Sequence, residues 1–294
     1  MANVSHVEIV KKGAEALAQW RALNPDKLLD LAGVTLPNFN LARMDLSRAD
    51  LMDADLRYTD LSESCLMGAK LIRVNLEGAR LEGANLIGAD LTDANLTEAN
   101  LDRAILRNAN LTDAKMRKAK LINADLMHAS LVRAKMSESI LRGANLRDAD
   151  LSASRLRGAD LREIAAYSAK FCGADLSSAN LKQASLIHCD FRSAKLIGAN
   201  LSAANLHEAI LIEADLSAAN LSAAILKHVH SSEASYTKAQ MAKTDLTGAN
   251  LEKANLIGVD LSDAILEGTN LKEAKLSILQ RIKFWTSYLS RGKF

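Results

Sequence analysis

Leucine recurs at a five-residue spacing along this chain from Leu36 to Leu276, with few exceptions, and few backbones accept that spacing. Residues 81–101 read LEGANLIGADLTDANLTEANL, with Leu81, Leu86, Leu91, Leu96 and Leu101 in register and an alanine two places before each of the last four. An α-helix turns about 100° per residue, so leucines five apart would spiral around it. A flat strand alternates its faces with period two, and five is odd, so the leucines would alternate sides. The chain must therefore turn a corner within each five-residue unit. Four such corners close a lap, and the next lap stacks on it at the strand spacing of about 4.8 Å. The expected architecture is an all-β solenoid, a quasi-one-dimensional repeat fold.

The register holds without an insertion or deletion. Of 49 positions from residue 36 to residue 276, leucine fills 41, which excludes chance. The others are Met116, Met136, Ala166, Phe171, Phe191, Ser231, Tyr236 and Met241. Alanine fills 35 of the 49 positions two places earlier, so the interior is narrow enough to need a small side chain beside each leucine. Asp or Asn before the leucine suits a corner, where its side chain can bond nearby backbone. Glycine at the fifth place, as at Gly78, suits a bend with an unusual φ.

With ADL at 174–176 and ANL at 179–181 and 199–201, the chain resembles the pentapeptide repeat family, whose consensus is A(D/N)LXX. The resemblance spans about residues 31–276. It implies a right-handed quadrilateral β-helix with the leucine and the preceding alanine pointing inward. It says less about function, because one fold hosts several.

Departures from the pattern come in pairs. Ile164 is large for its slot and Ala166 small for the next; Val229 and Ser231 repeat the exchange. Compensated volume with local distortion is the expectation, with a small loop the alternative. Phe171 and Phe191 are twenty residues apart, so they are predicted to stack on adjacent laps, as are Met116 and Met136.

A solenoid exposes core and unpaired edges at its ends and needs caps. Residues 1–30 supply one: Ser5 and Glu8 form a capping-box pattern, Ile9, Val10, Ala14, Leu17 and Trp20 follow at helical spacing, and Asn24-Pro25 stops the helix. Residues 31–276 form the rod. Residues 277–294 read as a second amphipathic helix, with Ile282, Trp285 and Leu289 on its apolar face. The resemblance implies that such an end can pair two copies, giving a homodimer; Arg281, Lys283, Arg291 and Lys293 would alternatively allow docking on a membrane surface. No apolar stretch is long enough for an integral membrane segment, and residues 1–20 lack the apolar core of a signal peptide. Cys65, Cys172 and Cys189 show no metal or disulfide spacing, so they read as reduced and a cytoplasmic location is expected.

No catalytic motif emerges, and the repeat itself accounts for the many carboxylates, so no enzyme activity, cofactor or metal is expected. Residues twenty apart share a face, which allows the surface to be read in stripes. One carries Met67, Ile87, Ile105, Met127, Ile187, Ile225 and Ile265, interleaved with His128, His188, His207 and His228, more outward isoleucines than any other stripe. It is a candidate partner-binding face, or a scatter of surface residues. His188, His207 and His228 lie on successive laps, but with no carboxylate or thiolate evidently beside them they read as surface imidazoles rather than a metal site.

Charge gives the second lead. Residues 43–100 hold 11 acidic and 6 basic residues, whereas residues 101–165 hold 8 acidic and 13 basic, so the middle of the rod is basic. Lys115, Arg117, Lys118, Lys135, Arg155 and Arg157 occupy one stripe on three laps, flanked by Lys120, Arg142 and Arg162. Such a patch could hold an acidic partner or phosphate groups, or be a solvated face; without interleaved aromatics it does not suit single-stranded nucleic acid. The function expected is a non-catalytic protein-binding scaffold or regulator, in keeping with the interaction proteins of bacteria and plastids found in the family. The alternative is a DNA mimic that binds DNA gyrase or topoisomerase IV and protects it from quinolones or toxins. That mechanism needs a strongly negative rod, and the formal net charge of +2 with a basic middle disfavours it.

Overall fold

A computed structural model of the chain describes residues 2–278 and 280. Parallel β-bridges join each residue of a twenty-residue series to its counterpart one lap on: Asp30 to Asp50, Thr35 to Asp55, and so on up to Asn255 with Lys275. Each lap therefore contains four five-residue units, and the chain is a β-solenoid. Among the described residues the ladder misses one rung, between Gln240 and Asp260.

The consensus positions follow from where each backbone N–H goes. Number a unit 1 to 5, with leucine at 3. In the unit around Leu86, the N–H of Asn85 (position 2) donates to Ser64 O one lap back, and those of Leu86 and Gly88 (positions 3 and 5) donate to Ile105 O and Arg107 O one lap on. The N–H of Ala89, position 1 of the next unit, closes a turn onto Leu86 O. The remaining N–H, that of Ile87 at position 4, donates to the Asn85 side chain at 3.2 Å. Thr92 with Asp90 and Ser202 with Asn200 repeat this bond. Asp or Asn at position 2 thus completes the backbone accounting that burial and turning demand.

Position 5 adopts a left-handed φ from Gly33 to Gly258, between +54 and +79°, even where it is Asp53, Tyr58 or His228; Asp263 in the last lap does not. A turn with positive φ at its third residue requires this. Non-glycine residues there cost about 1 kcal/mol or more each, which the repeated bonding on both sides sustains. At Gly78 and Gly248 a Cβ would run into the Tyr58 or His228 ring of the preceding lap, so any larger residue there would have to displace that exposed ring.

The core is the continuous column of Leu and Ala, essentially all fully buried from Leu41 to Leu256. Each buried leucine contributes about 1.5–3 kcal/mol. Phe171 and Phe191 stack as predicted, centroids 4.8 Å apart and planes 6° from parallel. The two exchange sites are regular laps rather than loops: Ala165 and His230 keep their bridges on both sides. The distortion expected there is confined to the turns. The Val229 turn bond is stretched to 3.4 Å, and Ala166 and Ser231 are compensated by residues beyond their immediate neighbours: Cys189 Sγ donates to Ala166 O, and Tyr236 reaches Ser231.

The N-terminal segment differs from expectation in its boundaries. It forms two helices, α1 (Val4–Lys11) and α2 (Ala14–Leu23), separated by Gly13 at φ +100°. The N-cap of α1 is Asn3, whose side chain accepts from Ser5 and His6; Ser5 lies inside the helix and makes no capping box. α2 ends before Asn24-Pro25, as expected. Val10 and Leu17 are buried in the rod core. Side chains then take the place of a preceding lap. Arg21 donates to Asp45 O at 2.8 Å and Ser47 O at 2.7 Å, and His6 Nδ1 accepts from Asp30 N at 3.0 Å.

Gln280 does the same at the other end. Its Nε2 donates to Leu256 O and Val259 O, and its Oε1 accepts from Ser277 N and Gly258 N. Regular repetition would have filled Val259 O with the backbone N–H of residue 280; here the side chain of that residue does it. Leu261, Leu266, Leu271 and Leu276 of the last lap are only half-buried. Ile282, Trp285 and Leu289 lie outside the described residues.

Candidate interaction surfaces

The interior is filled by leucine and alanine, so functional side chains sit on the faces, at positions 2, 4 and 5. The rod places Lys115, Lys135 and Arg155 at position 2 of three successive laps, directly bridged to one another. Two local rules are broken there at once. None of the three can accept the position 4 N–H of its unit, as Asn or Asp would, a bond worth about 0.5–1.5 kcal/mol. Like charges also stand directly opposite each other, which destabilises a ladder.

Elsewhere position 2 avoids this. Lys70 sits between Asp50 and Asp90, Lys170 between Asp150 and Asp190, Lys195 between Asp175 and Asp215, and Arg80 between Asp60 and Asn100. Among the described residues the Lys115–Lys135–Arg155 ladder is the one run of three like charges at this position. Asn95 bounds it on one side and Asp175 on the other.

Arg117 and Arg157 lie at position 4 of the outer two laps, with Ser137 between them. Among the described residues no carboxylate comes within 4.0 Å of Lys115, Arg117, Lys135, Arg155 or Arg157. Lys118 differs, being 3.9 Å from Glu138. Several arginines of other faces are paired across or within laps, as Arg73 with Asp53 at 2.7 Å and Arg133 with Asp113 at 2.5 Å, although among the described residues Arg48, Arg103, Arg142 and Arg147 are not. Flanking Arg162 grips Asp160 through two hydrogen bonds, and this holds the Asp160 carboxyl below the usual carboxylate range.

The second stripe is brought together in part. Tyr167, His188, His207 and His228 form a line of rings with successive centroids 5.1, 6.3 and 5.8 Å apart. Sequence reasoning overlooked Tyr167, which the twenty-residue offset from Ile187 would have found, and Glu208. That carboxylate stands 3.4 Å from His188 Nδ1 and 3.2 Å from His207 Nε2. Even so, among the described residues no group of three or more His, Cys, Asp and Glu side chains could hold a metal ion. Met127 is separated from the rings by Arg147, and His128 lies 3.9 Å from Asp148 instead.

The apolar character of this stripe is weaker than its sequence suggests. Met67, Ile225 and Ile265 are exposed, but Ile87, Ile105, Met127 and Ile187 are half-buried between laps. Tyr58, Ile197 and Ile257 on the basic face are exposed to a similar degree, and Ile72, Ile210 and Ile212 point outward on a further face. At the missing rung a cleft of about 350 Å³ opens, lined in part by Lys238, Gln240, Met241 and Ser262. No helix among the described residues is long and apolar enough to cross a membrane.

Stacked twenty-residue laps with leucine and alanine inside and variation confined to the faces define a repeat protein of the β-solenoid class. The chain belongs to the pentapeptide repeat family: the description "Pentapeptide repeats" matches overlapping stretches from residue 30 to residue 164, and "Pentapeptide repeat region" matches residues 184–261. Among solved structures it is similar to HetL of the cyanobacterium Nostoc, a pentapeptide repeat protein involved in heterocyst differentiation regulation, at 32% identity over 89% of this chain and 96% of that one, with a TM-score of 0.37. It is similar to Rfr23 of the cyanobacterium Cyanothece at 34% identity over 37% and 60% of the two chains, TM-score 0.22. QnrB1, a plasmid-mediated fluoroquinolone resistance protein, shares 15% identity over 88% and 98%, TM-score 0.25. No curated protein matches the sequence.

Proposed function

We propose that the protein is a non-catalytic scaffold or regulator that binds an acidic protein partner along the basic face of its rod. The Lys115–Lys135–Arg155 ladder carries this reading. It forgoes three backbone-completing bonds and stacks like charges, and among the described residues no carboxylate stands within ion-pair distance of its three members. Local rules broken without internal compensation mark surfaces kept for something outside the fold. The same ladder counts against a DNA mimic directed at gyrase, which would place carboxylates where these cations stand.

The reading includes a square, right-handed cross-section for the rod of residues 31–276, with residues 1–30 as one cap. Residues 277–294 form the second cap and join two copies, an arrangement that would cover the half-buried leucines of the last lap. Three free cysteines accord with a reducing cytoplasm.

The test is capture from the native host with tagged wild-type protein and with the Lys135→Glu/Arg155→Glu variant, whose folding is verified by circular dichroism and thermal melting. A partner held by the wild type and lost by the variant is the expected result. Identical captured proteins from both would remove the basic face from the function, and gyrase subunits held equally by both would restore the mimic.

A further inference from the structure

The spacing of the basic ladder also restricts the shape of what it binds. We infer that the basic face seats an acidic α-helix laid along the rod axis, its carboxylates at i, i+3 or i+4, and i+7 set against Lys115, Lys135 and Arg155. This rests on the acidic-partner reading above and narrows it to one kind of backbone.

Successive laps are about 4.8 Å apart, so the first and third cations of the ladder are separated by about 9.6 Å along the axis. On a helix, residues i and i+7 share a face and are about 10.5 Å apart, with i+3 or i+4 between them. The difference, about 1 Å over the whole span, is within the reach of flexible Lys and Arg stems. An extended peptide fits worse. Its same-face side chains recur about every 6.8 Å, so three of them span about 13.6 Å and leave the ladder by the third.

The outline of the patch agrees. Arg117 and Arg157 stand beside the two ends of the ladder, with Ser137 leaving the middle of the second column uncharged. A helix about 10 Å across can lie between the two columns, with a cation on each flank at either end. Asn95 and Asp175 close the ladder below and above, so it accommodates about two helical turns. A phosphate backbone would need the cations to continue, since one turn of duplex DNA is about 34 Å long. Instead the column passes to Asp175, Lys195 and Asp215 in alternation.

The experiment compares two labelled helical peptides of about 18 residues, long enough to hold a helix, by fluorescence anisotropy against the full-length protein at low salt. One carries Glu in a single stripe at i, i+4 and i+7; the other has the same composition and helicity with its Glu spread around the cylinder. A labelled duplex of about 20 base pairs serves as the third probe. The striped peptide is expected to bind about tenfold tighter than the spread one and than the duplex. It should lose at least about tenfold in affinity with Lys135→Glu, and less with Lys135→Gln.

Equal binding of the two peptides would overturn the helical register while leaving an acidic partner in place. Absence of striped-peptide binding to the wild type would overturn the inference, with the host-capture comparison still judging the broader reading separately. Tighter binding of the duplex, abolished by Lys135→Glu, would overturn both.

Discussion

The Ser231 hydroxyl lies 2.5 Å from the Tyr236 hydroxyl, and both residues are fully buried in a rod that mostly keeps leucine at these positions. Serine leaves a void at one corner, and tyrosine from the next unit extends into it. Burial pushes the Tyr236 phenol well above its ordinary range, so it stays protonated. Tyr236→Phe should cost about 1–3 kcal/mol, because the Ser231 hydroxyl is then buried without a partner. Adding Ser231→Ala should recover part of that loss in urea unfolding. A double variant no more stable than the single one would show that the pair acts through volume alone.

Ser154 offers the opposite case. Its Oγ is buried with no hydrogen-bond partner among the described residues, whereas Ser64 and Ser139 at equivalent positions donate to Leu61 O and Met136 O at 2.7 Å. Alanine is the usual occupant of this position. Ser154→Ala should therefore raise stability by about 1 kcal/mol or more, while Ser64→Ala should be neutral or destabilising. Thermal melts of the two variants decide it.

The basic ladder predicts a trade between stability and binding. Lys135→Asn would restore a side-chain acceptor for the Ser137 N–H and separate Lys115 from Arg155. It should stabilise the rod by about 0.5–1.5 kcal/mol and weaken partner capture at the same time. A variant that is less stable than the wild type would refute the claim that the ladder is kept at a structural cost.

Gln280 should act as the stop of the solenoid. Gln280→Ala removes the donor to Leu256 O and Val259 O, so hydrogen exchange should quicken for amides of residues 256–278 and stay unchanged near Leu126. Uniform acceleration along the rod would mean that the ends do not open independently.

The Arg162–Asp160 pair predicts an acid dependence. Bonding to Arg162 lowers the folded-state pKa of Asp160 below its unfolded value of about 3.9. Its contribution is therefore present at neutral pH and lost as pH falls below about 4 and through the lowered value. Arg162→Met should be slightly less stable than the wild type at pH 7, and the difference should vanish in acid. A gap that persists at low pH would assign the loss to packing.

The helical caps show why some features were legible and others were not. Val10 and Leu17 announced themselves by helical spacing, because burial against any apolar surface rewards the same pattern. The capping box at Ser5 and Glu8 matched a local motif, but Asn3 won the N-cap, since its side chain already reached the Ser5 and His6 amides. Glu208 follows His188 by one lap in the same column, so the twenty-residue offset would have found that contact, whereas its approach to His207, at position 4 of its own unit, crosses between columns. Contacts between neighbouring columns follow from the rotamers of side chains, which the period does not encode.

A strict five-residue period left the backbone one solution, so the twenty-residue lap, the leucine and alanine core and the Phe171–Phe191 stack were determined by sequence alone. Each unit meets only its neighbours and its counterparts one lap away, and those relations can be counted along the chain. Tertiary structure alone decided how the repetition stops and what its exceptions touch. Arg21, His6 and Gln280 bond across more than twenty residues and out of register, and Tyr236 reaches around a corner to Ser231. No period specifies those contacts, because each is set by which backbone groups or voids remain unsatisfied once the regular laps have formed.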